Sequence, residues 1–171
     1  MESGPWNQPA ESGNGPTTYN LLFVCSGNTC RSPLAAAITE RLVAARGWPH
    51  VRVASAGTAA LYGASATEHA LEVAAEHGLD LEEHRSRELS AEGLDWADLV
   101  LTMTPSQFET VARLGASAKV ALVTDFIDGP GAGESVHDPF GGDLQMYRRT
   151  FAQLEEAAAA LLARLEPILA P

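Results

Sequence analysis

At 171 residues and 46% hydrophobic content, the chain has the size and composition of one soluble globular domain able to bury its own core. A formal net charge of −11 excludes a general nucleic-acid binder, which needs clustered Lys and Arg, and disfavours an anionic membrane surface. No apolar run approaches the roughly 18 residues of a membrane helix, and two cysteines are too few for a disulfide framework, which together point to the cytoplasm.

The first 19 residues, MESGPWNQPAESGNGPTTY, are rich in Pro, Gly, Ser and Asn and lack the basic and apolar regions of a signal peptide. They read as a disordered N-terminal extension, 1–19, ahead of a domain over 20–171. Leu21-Leu22-Phe23-Val24 is a continuous apolar run ending at Cys25, as expected of a strand buried on both faces. Ser32 and Pro33 open a helix with an apolar face at Leu34, Ile38 and Leu42, closed by Gly47. Residues 51–55 read as a second strand, followed by a turn around Gly57. Ser65 and Glu68 have capping-box spacing ahead of a helix to His77 and Gly78. A helical turn over Ser90–Leu94 leads to a third strand at 99–103. Thr104-Pro105-Ser106-Gln107 combines an N-cap, a first-turn proline and a capping-box Gln for a helix ending at Gly115. Residues 119–123 form a fourth strand, 124–142 a Gly-rich loop, and the apolar spacing from Leu144 to Leu165 a long helix stopped by Pro167. Strands alternating with helices imply a single α/β domain: a three-layer α/β/α architecture around a four-stranded parallel sheet.

In such a sheet, ligands bind beyond the carboxyl ends of the strands. Cys25 stands at that end of the first strand, and Cys25-Ser26-Gly27-Asn28-Thr29-Cys30-Arg31-Ser32 runs into a helix N-terminus. Five residues between Cys and Arg let the backbone curl into a nest of N–H groups around one anion, and Gly27 and Asn28 tolerate the positive φ this needs. Helix-terminal amides favour phosphate there and, with Arg31, the thiolate form of Cys25. Arg31 can grip two phosphate oxygens at once, and Ser32 can donate to the sulfur. These groups supply what Mg²⁺ supplies elsewhere, so neither metal nor cofactor is implied. No nucleotide-type G-x-x-x-x-G-K loop is present.

The stretch LLFVCSGNTCRSPLAAA, with Ser55-Ala56-Gly57-Thr58 and Asp138-Pro139-Phe140-Gly141-Gly142, resembles the low-molecular-weight protein phosphatases over about residues 20–166. The resemblance implies a cytoplasmic enzyme acting on phosphorylated proteins, with Cys25 as nucleophile, Arg31 and residues 26–32 binding phosphate, and Asp138 as general acid. It further implies that Asn28, Ser32, Ser55 and His84 brace the loop, and that oxidation joins Cys30 to Cys25 reversibly. His137 reads as an exposed loop residue. Thr29 stands where tyrosine-directed members carry a bulkier aliphatic residue, and Phe140-Gly141 where many have two aromatics. Both departures resemble the protein-arginine phosphatase branch, so phosphoarginine is favoured and phosphotyrosine is the alternative. A β-branched polar Thr29 beside the nucleophile crowds a flat phenyl ring yet accepts a narrower guanidinium stem. An arsenate reductase of this fold would need relay cysteines beyond Cys25 and Cys30. A phosphate-binding module without turnover would not need nucleophile, arginine and acid together. Nothing in the sequence specifies an oligomeric state.

Overall fold

A computed structural model of the chain describes residues 4–7 and 17–170. The continuous apolar run forms β1 (Tyr19–Cys25), the inner strand against which β2 (Val51–Gly57) and β3 (Leu99–Thr102) pair in parallel. β4 (Val120–Leu122) pairs in parallel with β3, giving the order β2-β1-β3-β4. Because successive side chains of β1 point to opposite faces, Leu21, Phe23 and Cys25 enter one core and Leu22 and Val24 the other. The first core is covered by α1 (Arg31–Ala45), α2 (Glu68–Glu76) and α5 (Leu144–Leu169), the second by α3 (Ala91–Trp96) and α4 (Pro105–Val111). This is the three-layer α/β/α architecture the alternation of elements implies.

Three local expectations are corrected. The N-cap of α2 is Thr67, whose Oγ1 accepts from Ala70 N at 3.4 Å, and not Ser65. Pro167 does not stop α5, which continues to Leu169. A proline one turn from a helix end removes a single N–H, and Leu165 and Leu169 hold the final turn against the core. The helix opened by Pro105 ends its regular part at Val111 and closes through a π turn, Ala112–Ala116, with Gly115 at φ 103°. The segment expected as a disordered extension also differs where it is described, since Pro5–Asn7 form a 3-10 turn and Tyr19 already belongs to β1. Residues 1–3, 8–16 and 171 lie outside the described residues. Among the described residues no helix is long and apolar enough to cross a membrane.

Candidate active site

β1 delivers Cys25 to the end of the sheet, and the chain then turns through 26–30 into α1. What shapes this turn is where its carbonyls go. Cys25 O accepts from Thr58 N (2.9 Å), Ser26 O from Ala59 N (3.0 Å) and Thr29 O from Thr67 N (3.0 Å). The Asn28 carbonyl accepts from His84 Nε2 at 2.7 Å, and Cys30 O from Leu34 N at 3.2 Å. With its acceptors turned onto the frame, the loop is free to aim amides at the sulfur, as Asn28 N does at 3.3 Å. Asn28 has φ 54°, the only positive φ outside glycine among the described residues. Gly57 permits the close approach, because a Cβ there would collide with the Ser26 carbonyl oxygen and the Asn28 amide.

The Asn28 side chain is fully buried and fully engaged. Its Nδ2 donates to Ser32 Oγ (2.8 Å) and Ser55 Oγ (2.9 Å), and its Oδ1 accepts from Arg87 N (3.0 Å). Since Ser32 Oγ already accepts from Asn28, its own proton can turn to Cys25 Sγ, 2.9 Å away. Four residues thus converge on one sulfur and its supports. Burial holds the His84 ring below its ordinary value of 6.5, helped by the nearby Arg87 and Arg85 charges and opposed by the bond to Asn28. An Nε2–H donates that bond in either the neutral or the protonated ring, and burial favours the neutral one.

Arg31 is the first residue of α1 and is 4% exposed. Its Nη1 donates to Val136 O at 3.0 Å, and its Nη2 lies 3.4 Å from Asp138 Oδ2. Asp138 sits exposed on the 137–142 loop, beside a buried Pro139, and its Oδ1 accepts from Phe140 N at 3.1 Å. Cys25, Gly27, Thr29, Arg31, Asp138 and Phe140 line a cavity of about 210 Å³. An anion-sized space with a thiol at its base, a guanidinium in its wall and a carboxyl at its mouth can support nucleophilic displacement at phosphorus.

Residues 20–168 match the model of the low molecular weight phosphotyrosine protein phosphatase family. The chain belongs to that family. A protein-arginine-phosphatase from Geobacillus stearothermophilus is 39% identical over 150 residues, covering 86% of this chain and 97% of that protein. A solved arginine phosphatase structure from the same organism superposes with a TM-score of 0.79 at 38% identity, covering 88% of this chain and 94% of the other. A low molecular weight protein-tyrosine-phosphatase, PtpB, from Staphylococcus epidermidis (strain RP62A) is 35% identical over 136 residues, 78% of this chain and 90% of its own. The protein is accordingly a cysteine-dependent protein phosphatase.

In this phosphatase the residues singled out from the sequence fall into one neighbourhood: Cys25 to Ser32 form the loop, Ser55 and His84 touch Asn28, and Asp138 and Phe140 stand across the cavity. Both cysteines are free, and Cys30 Sγ turns to Tyr147 OH (3.4 Å) and Thr67 Oγ1 (3.5 Å). Burial, then the contact with Cys30, pushes the Tyr147 hydroxyl up to about 12. His137 is exposed. Sequence reasoning missed four contributors. Arg87 acts through its backbone N–H, and Val136 through its carbonyl, so neither side chain signals the role. Tyr147 reads as one more apolar position of α5. Gln107 is buried and does not close a capping box: its Oε1 accepts from Met103 N (2.9 Å) while its Nε2 donates to Ser26 Oγ (3.1 Å).

Proposed function

We propose that this phosphatase hydrolyses phosphoarginine on proteins through a phosphoryl group carried on Cys25. The observation that carries the substrate assignment is Thr29, half-buried and lining the same cavity as Cys25 and Arg31. The similarity to a protein-arginine-phosphatase supports it. Its hydroxyl puts a polar group where an aliphatic side chain would offer a phenyl ring an apolar wall, which suits a guanidinium stem better than a ring.

In the first step the Cys25 thiolate attacks phosphorus. The S–P bond forms as the P–N bond breaks, and Asp138 gives its proton to the departing nitrogen. Arg31 and the loop amides hold the non-bridging oxygens, where charge develops. In the second step Asp138, now a carboxylate, takes a proton from water as its oxygen attacks phosphorus. The S–P bond breaks and its electron pair returns to Cys25, where the Ser32 hydroxyl and the Asn28 amide stabilise the thiolate. Asn28, Ser55 and His84 keep the loop in shape throughout.

One observation favours a second reading, hydrolysis of phosphotyrosine: Phe140, 70% exposed at the cavity mouth, offers a face on which a phenyl ring could stack. The deciding experiment compares kcat/KM for a phosphoarginine and a phosphotyrosine peptide on the parent and on Thr29→Ile. The first reading expects the parent to prefer phosphoarginine by about tenfold or more, a difference of ~1.4 kcal/mol in transition-state binding, and the variant to lose that preference. A parent that prefers phosphotyrosine assigns the second.

A further inference from the structure

Trp6 lies outside the segment that the family model matches, yet it is joined to the phosphate loop through one arginine. Asn7 N donates to Gly4 O at 2.9 Å, closing a turn that sets the Trp6 ring 5.9 Å from that of Trp96. The Arg87 guanidinium covers the same indole at 5.3 Å from its centroid. Two glycines make room for it. A Cβ at Gly4 would overlap the Trp6 ring and come within 3.0 Å of Arg87 Nη1, and one at Gly93 would meet the ring at 3.4 Å. On the far side Arg52 lies 5.8 Å from the Trp96 ring, so the Trp96–Trp6 pair is flanked by Arg52 at one end and Arg87 at the other. Gly4 and Pro5 also line a cavity of about 550 Å³ together with Ser55 and His84, both of which touch Asn28.

Arg87 is where this group of side chains meets the site. Its backbone N–H donates to Asn28 Oδ1 and its carbonyl accepts from Gly57 N, each at 3.0 Å. Asn28 in turn orients the Ser32 hydroxyl onto Cys25 Sγ. We infer that Trp6 is a positioning residue: it clamps Arg87 between ring and frame, and so holds the Asn28 amide in the one orientation that supports the nucleophile. Without the ring, the 84–88 segment gains freedom, the Asn28 side chain samples orientations that miss Ser32, and the thiolate loses a donor.

The test uses the full chain with Trp6→Ala, Trp6→Phe, Arg87→Met and the Trp6→Ala, Arg87→Met double variant. Two quantities are read: kcat and KM on para-nitrophenyl phosphate, and the rate of Cys25 carboxymethylation by iodoacetate, mapped by mass spectrometry. The alkylation arm involves no phosphoryl substrate, so it stands or falls independently of the phosphoarginine assignment. Trp6→Ala is expected to lower kcat by about three- to tenfold, the size of one aromatic and one cation–π contact, with KM changed less than about twofold. Alkylation slows by a similar factor, and Trp6→Phe recovers at least half of the loss in both. In the Arg87→Met background, Trp6→Ala adds less than about twofold, because both act through one contact. Parent-like kcat and alkylation in Trp6→Ala, faster alkylation, failure of Phe to rescue, or multiplicative losses in the double variant would each overturn the clamp.

Discussion

The two loops that meet over the cavity are held by opposite means. Residues 25–32 hand their carbonyls to donors from three other segments and bury Asn28, Arg31 and Ser32 almost completely. Across the cavity, the Asp138 side chain is 51% exposed and Phe140 70% exposed. The hydrogen bonds at this second loop's tip are local ones, from Phe140 N to Asp138 Oδ1 and from Gly142 N to Pro139 O, and its tie across the cavity is the half-exposed ion pair of Asp138 with Arg31. The difference fits the two tasks proposed for them. Donors that stabilise developing charge on phosphate are worth most when fixed in advance, since they then need no reorganisation during reaction. An acid that gives a proton and later activates water needs solvent and room to move. Rigidity is concentrated in the loop proposed to hold the anion, and exposure in the loop proposed to move the proton.

Four substitutions or conditions sharpen this contrast. Arg31→Lys replaces a fixed fork by a point charge within the rigid loop, so kcat/KM is expected to fall roughly 10³-fold, with a measurable loss of stability as well. Asp138→Asn should lower kcat by roughly 10²-fold or more while the thermal midpoint stays within about 2 °C of the parent, because its side chain is half in water. A large stability loss in that variant would break the contrast. Asn28→Ala strands Ser55 Oγ and Arg87 N and places a Cβ-bearing residue without a compensating bond at φ 54°. It should cost about 2–4 kcal/mol of stability in denaturant unfolding, together with most of the activity.

The smallest effect concerns pH. The folded His84 value lies below the ordinary 6.5, so the unfolded chain binds the proton more readily. As pH falls below 6.5 towards the folded value, this residue therefore withdraws stability, and above that window it has no effect. Chemical denaturation from neutral to mildly acid pH should show that slope in the parent and a shallower one in His84→Gln. Equal slopes would show that His84 is not braced in its neutral form.

The loop was legible because it is contiguous: Cys25 to Ser32 carries the proposed nucleophile, turn residues, arginine and helix start within eight positions. The parallel sheet was legible for a similar reason, since β1 is apolar on both faces and α1 and α5 repeat apolar residues at helical spacing. What stayed hidden acts across the fold or through the backbone. Arg87 supports Asn28 with an N–H that any residue but proline could offer, and Gln107 crosses from α4 to Ser26, 81 residues away. Tyr147 looks like part of an amphipathic repeat until the fold brings its hydroxyl to Cys30. Trp6 sits in a stretch whose composition signals no structure, and its ring contacts with Trp96 and Arg87 appear only once the chain is folded.

The most direct test is covalent. Cys25→Ser, mixed with a phosphoarginine peptide, should accumulate enzyme heavier by one phosphoryl group, and peptide mapping should locate that group at position 25. The serine ester forms slowly and lacks the thiolate leaving group that would release it. A phosphoryl group on any other residue would contradict the account, as would a Cys25→Ser variant that turns the peptide over at the parent's rate.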